Sequence, residues 1–130
     1  MAAVSKKELR TSGAPAPLPF YSQAVVVGNM VYVSGSLGID STTGKFVEGT
    51  VADRTTRILK NINNILVEAN TSLDNAVKLN VFLTDMGNFD TMNAAYGEFF
   101  TKGVRPIRTC VAVKELPFGA DVEIECSAHL

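Results

Sequence analysis

Residues 107–128 read IRTCVAVKELPFGADVEIECSA. Two runs alternate apolar and polar side chains, and a turn, Leu116-Pro117-Phe118-Gly119, separates them. A period of two marks a half-buried strand, because successive side chains point to opposite faces. The first run sets Ile107, Thr109, Val111 and Val113 on one face and Arg108, Cys110 and Ala112 on the other. The second turns Val122, Ile124, Cys126 and Ala128 inward, with Glu123, Glu125 and Ser127 outward. If the two strands pair antiparallel through the turn, their polar faces meet and a carboxylate approaches Arg108.

Working back along the chain, Val77 to Thr84 alternates in the same way. Val77, Leu79, Val81 and Leu83 share one face; Lys78, Asn80 and Phe82 share the other. Ala24–Val27, Gly28-Asn29 and Met30–Val33 read as a hairpin, and Leu37 to Ile39 extends the sheet. Residues 51–69 carry Ile58, Ile62, Ile65 and Leu66 at helical spacing, with Asn70 as a left-handed stop. A second helix is expected over 88–100, from Phe89, Met92, Tyr96, Phe99 and Phe100, capped by Asn88 or Asp85. Residues 1–17 form an extended N-terminal segment, with the first ten as a solvated, frayed terminus, and 18–130 form one domain. This order predicts an α+β fold: one mixed, mostly antiparallel sheet of about six strands, with two helices on one face. The opposite face is expected to carry Phe82, Cys110 and Ala112 mixed with Arg108, Glu123 and Lys78. That mixture suits an oligomer interface with a polar pocket.

Composition excludes several classes of function. The 130 residues carry 12 Lys and Arg against 13 Asp and Glu, a formal net charge of −1, with no basic run to hold a polyanion. No apolar run is long enough to span a bilayer. The first ten residues have no secretory h-region, so a cytoplasmic location is expected; Lys6, Lys7 and Arg10 leave the mitochondrial matrix as the alternative. Two cysteines make no disulfide scaffold, and a single histidine, His129, makes no His-rich metal site. There is no Walker loop, no GxGxxG and no CxxC.

Arg108 interrupts a run of β-formers. It reads either as a solvent-facing arginine or as a planar fork for a carboxylate. Glu123 and Glu125 read either as surface ion-pair partners or as a site carboxylate. Cys110 has no histidine base beside it and reads as a small buried thiol. Tyr21-Ser22-Gln23 and Ser34-Gly35-Ser36 are polar clusters at strand ends.

Over residues 18–130 the chain resembles the Rid family, also called YjgF-like proteins. The resemblance rests on Arg108-Thr-Cys-Val, Leu116-Pro117, Gly119-Ala120 and Val122-Glu-Ile-Glu125. Supporting stretches are Tyr21-Ser-Gln-Ala24, Gly28-Asn-Met30, Ser34-Gly35, Asn80-Val-Phe82 and Asn93 to Phe100. It implies a chorismate-mutase-like fold, a trimeric barrel with sites between subunits, and no cofactor and no metal. The implied reaction is hydrolysis of enamines and imines such as 2-aminoacrylate, 2-iminopropionate and 2-iminobutyrate to 2-keto acids and ammonia, sparing pyridoxal-phosphate enzymes from damage. Arg108 and Glu123 are implied as catalytic, holding the substrate carboxylate and the attacking water. Tyr21, Ser34, Gly35, Asn93, Arg108 and Cys110 are implied as substrate-binding. Neither a nucleic-acid nor a membrane partner is expected. A non-catalytic ligand-binding or chaperone-like trimer is the alternative, as is a ribonuclease or translation inhibitor. The sequence departs from the family's pattern at Pro19-Phe20, Ser36 and Gly38, which bears on side-chain preference more than on reaction class.

Overall fold

The computed structural model describes residues 4–130. Its six strands are β1 (Lys6–Leu9), β2 (Ala24–Val27), β3 (Met30–Leu37), β4 (Ala76–Leu83), β5 (Ile107–Ala112) and β6 (Val122–His129). The helices are α1 (Val51–Glu68) and α2 (Phe89–Gly97). All strands join one sheet in the order β1-β2-β3-β6-β4-β5, antiparallel except for β4 with β5. Both helices pack on one face, as the alternation predicted.

Local chemistry sets the helix ends. Thr50 caps α1 by accepting from the Ala52 amide, and Asp53 accepts from the Thr50 amide, a reciprocal capping box. Asn70 just beyond the helix has φ +61, the left-handed stop expected of it. Ile58, Leu59, Ile62 and Leu66 have no exposed surface and meet the inward row of the sheet, Val31, Leu79, Val81, Leu83 and Ile124. Burying such side chains contributes about 1.5–3 kcal/mol each before the entropy of folding is set against it.

Four expectations need correction. The last two strands do not form a hairpin. β4 lies between β5 and β6, because the chain leaves β4, crosses through α2 and returns parallel to β4 at the sheet edge. In that parallel register Arg108 pairs with Leu79, Cys110 with Val81 and Ala112 with Leu83. All three therefore point to the helix side, and Ile107, Thr109 and Val111 share the outer face with Phe82 and Glu123. Val77 is not inward: the register slips between Ala76 and Lys78, and the extra residue leaves Val77 exposed. Helix α2 ends at Gly97, short of the expected Phe100, and Asp85 caps the 3-10 turn ahead of it while the Asn88 side chain caps nothing. Finally, Lys6–Leu9 is not a frayed lead-in but the edge strand on β2.

Two polar devices fix the edges around the eventual site. The Gln23 side chain is buried. It donates to the carbonyls of Thr11, Ala14 and Pro15 and accepts from the Thr11 amide, which clamps residues 11–15 beside β2. Arg54 on α1 forms a two-pronged pair with Asp121, both contacts 2.8 Å, and also donates to the carbonyls of Val47 and Gly49. A Cβ on Gly38 would sit 2.9 Å from the Arg54 Cα, so the strand end passes the helix only as glycine.

Candidate active site

The predicted site residues fall into two groups, and the sheet separates them. The first group is Arg108, Asn93 and Cys110. Arg108 leaves the edge strand toward α2. Its Nη1 donates to Asn93 Oδ1 at 2.7 Å, and its guanidinium carbon lies 4.8 Å from the Tyr96 ring centre and 5.6 Å from that of Phe89. Asn93 and the two rings thus hold the planar fork by hydrogen bonding and cation–π contact. Phe89 and Tyr96 are seven residues apart, two turns of helix, and in the sequence they mark only a helical stripe. Among the described residues Arg108 has no carboxylate partner; the only salt bridge found is Arg54 with Asp121. The Tyr96 hydroxyl is buried with no hydrogen-bond partner among the described residues, and burial pushes its pKa up to about 12.

Cys110 stands two residues along the same face, half-buried. Desolvation raises its thiol pKa, and the nearby Arg108 charge only partly opposes this. The thiol is therefore protonated at neutral pH and a poor nucleophile. Cys110→Ser is expected to keep kcat within about threefold of the parent; loss of two orders of magnitude would show a thiol-based step.

The second group is Tyr21, Ser34, Gly35 and Glu123, which line a cavity of about 560 Å³. A Cβ on Gly35 would lie 2.5 Å from Glu123 Oε1, so the glycine backbone packs directly against the carboxylate. The Ser34 hydroxyl donates to the Ser22 carbonyl at 2.6 Å, and its amide donates to the Gln23 carbonyl. Ser34 therefore spends both its hydroxyl and its amide on the wall of the cavity. Burial raises the Glu123 pKa, and repulsion from Glu125 adds to the shift. Glu125 itself accepts from the Asn80 amide at 2.9 Å. A half-buried carboxylate of raised basicity, facing a cavity, suits proton transfer from a water molecule.

The two groups stand well apart in one copy. Arg108 pairs with Leu79 and Glu123 with Phe82, on opposite faces of β4. The backbones stand two strand spacings apart, roughly 10 Å, and roughly 10 Å apart along the strands. A single copy cannot apply both side chains to one small molecule.

The comparisons with known proteins agree with this fold. Residues 11–130 match the family described as Endoribonuclease L-PSP, and the chain belongs to that family, which takes in the YjgF and RidA proteins. The rat 2-iminobutanoate/2-iminopropanoate deaminase is 41% identical over 128 residues, 98% of this chain and 93% of the rat protein. The crystal structure of yeast Mmf1, which is named a mitochondrial protein, superposes with a TM-score of 0.92 at 40% identity, covering 96% of this chain and 98% of that one. Escherichia coli TdcF with bound serine superposes with a TM-score of 0.90 at 35% identity, covering 95% and 98%.

Proposed function

We propose that this protein is a deaminase that hydrolyses 2-imino acids, 2-iminopropanoate and 2-iminobutanoate among them, in a site shared between two copies of the chain. One observation carries the reading: a guanidinium held in place by Asn93 and two rings, and a carboxylate of raised pKa facing a cavity, stand on opposite sheet faces. The deaminase named among the relatives and the neighbour with a bound amino acid support the substrate class.

The chemistry follows from the residues. Arg108 of the partner subunit forks onto the substrate carboxylate and fixes C2 of the imine near Glu123. An enamine first tautomerises to this imine. Glu123 accepts a proton from water as the water oxygen bonds to C2, and the proton passes to nitrogen. The carbinolamine hydroxyl then gives up its proton to the nitrogen by way of Glu123, C=O forms, and the C–N bond breaks to release ammonia. Imine and water give a 2-keto acid and ammonia, with no change in oxidation state. Imines hydrolyse readily, so a positioned water and a weak base suffice.

The outer sheet face supports self-association. Helices cover only one side, while Ile107, Tyr32 and Val111, respectively 64%, 49% and 40% exposed, stand on the other. A homotrimer closing three such faces into a barrel is expected. Sedimentation at micromolar concentration should show a species of about 42 kDa, three chains of 13.9 kDa; a 13.9 kDa species alone would contradict it. The family's description names an endoribonuclease, but a chain of net charge −1 offers a polyanion few counter-charges. A cytoplasmic location fits this role, with the mitochondrial matrix as the alternative.

The direct test generates imino acids in situ with an amino-acid oxidase and follows imine loss with and without the protein. Faster loss with matching keto-acid formation is expected; an unchanged rate at micromolar protein would overturn the reading.

A further inference from the structure

The cavity beside Glu123 is larger than the smallest substrates need. Its volume of about 560 Å³ falls within the roughly 300–1,000 Å³ typical of pockets for drug-sized ligands. A three-carbon imino acid would occupy a small part of it. Polar groups occur around the lining, Gln23, Asp40 and Asn61 as well as Tyr21, Ser34 and Glu123, but most of the wall is apolar, with Leu18, Leu37, Ile39 and Phe118 among it.

Phe118 is the odd residue of that wall. Among the described residues it is one of two non-glycine residues with positive φ, at +58, and it is 70% exposed. The other, Asn70, ends a helix and is of a type that tolerates this conformation. An aromatic side chain gains nothing from the left-handed region and loses by facing water. Both penalties fall at the rim of the cavity that holds Glu123, which is where strain and exposure are retained for function. The lining also contains no lysine or arginine, while it contains two carboxylates, Asp40 and Glu123. Asp40 is occupied by the amides of Thr42 and Thr43.

We infer that this cavity receives the substrate's side chain, that Phe118 forms its outer wall, and that the protein favours 2-imino acids with large apolar side chains over small or acidic ones. The inference rests on the imine-hydrolase reading and adds the substrate class. The substrate carboxylate stays with Arg108 of the partner subunit, C2 lies by Glu123, and a branched or aromatic group extends along the apolar wall. A second carboxylate on the side chain would meet like charge and find no cation in the wall that this copy supplies.

The test compares imines derived from alanine, leucine and glutamate, made in situ by amino-acid oxidases, with wild type, Phe118→Gly and Ala16→Trp. Glycine accepts φ +58 without strain, so Phe118→Gly is expected to melt no lower than wild type. Ala16 lines the cavity from an exposed position, and tryptophan there adds bulk without entering the core. For wild type, kcat/KM for the leucine-derived imine should exceed that for the alanine-derived imine by about tenfold, with the glutamate-derived imine slowest. Both variants should shrink the leucine-to-alanine ratio, by about fivefold or more. A wild-type ratio at or below one, or a ratio unmoved in both variants, overturns the inference while imine hydrolysis itself stands. No hydrolysis of any of the three imines overturns the underlying reading as well.

Discussion

Arg108→Ala is expected to lower kcat/KM for imine hydrolysis by one and a half to three and a half orders of magnitude, the equivalent of roughly 2–5 kcal/mol for losing a desolvated charge-assisted pair. The guanidinium is held in place before any ligand arrives, by Asn93 at 2.7 Å and by the rings of Tyr96 and Phe89. Its planar fork matches a carboxylate in two bonds, so Arg108→Lys should recover little: an ammonium brings the charge without the geometry. The loss should show in the binding of a 2-keto acid such as pyruvate as well as in turnover, because the carboxylate is present in substrate, transition state and product. Calorimetry with pyruvate and initial rates on the same preparations check both. Wild-type turnover in Arg108→Ala would remove the carboxylate anchor from the account.

Glu123→Gln should separate binding from chemistry. The amide keeps the shape beside Gly35 but accepts no proton, so kcat should fall by about two to four orders of magnitude while pyruvate binding is retained. The stability change has the opposite sign. Desolvation raises the Glu123 pKa above the ordinary glutamate value. The ionised form is thus less favoured in the fold than in the open chain. That penalty is absent below the ordinary value, grows as the pH rises toward the raised one, and is fully present above it. The glutamine variant should therefore melt at or above the wild-type temperature at pH 7 and lose this advantage in acid. The wild-type rate should fall as acid protonates Glu123, and that limb should vanish in the variant. A variant that is inactive because it has unfolded would separate from this outcome in the same melting curve.

The elements of the fold were legible for a simple reason. Helix α1 and strand β6 bury one face over 18 and eight residues, long enough for periodicity to stand out. The neighbour of β5 was not legible. Alternation states which residues of a strand share a face, but not which strand lies beside it nor which face turns inward. The turn at Leu116–Gly119 looks like a hairpin connection, and only the crossover through α2 places β4 between the two strands. Because of that placement Arg108 joins the helix side, away from the Glu123 that the hairpin reading set beside it. Phe89 and Tyr96 were hidden for a related reason: a helical stripe of aromatics packs a core or props a guanidinium with the same spacing. The bulge at Val77 left no sequence signal, since the alternation continues through it. The pairing of Arg108 and Glu123 with a reaction came from the family resemblance; composition and spacing alone left each open between a surface charge and a site group.

The division of the site between copies is the central claim, and subunit mixing tests it most directly. Arg108→Ala and Glu123→Gln chains, each inactive alone, would be unfolded together, refolded as mixed oligomers and assayed for imine hydrolysis. Each site that draws Arg108 from a Glu123→Gln chain and Glu123 from an Arg108→Ala chain is intact. Random assortment in a closed ring makes about one quarter of the sites so, and about one quarter of wild-type activity should return. Activity no higher than that of the separate parents, in oligomers shown to contain both chains, would place Arg108 and Glu123 in the same copy's site and contradict the account.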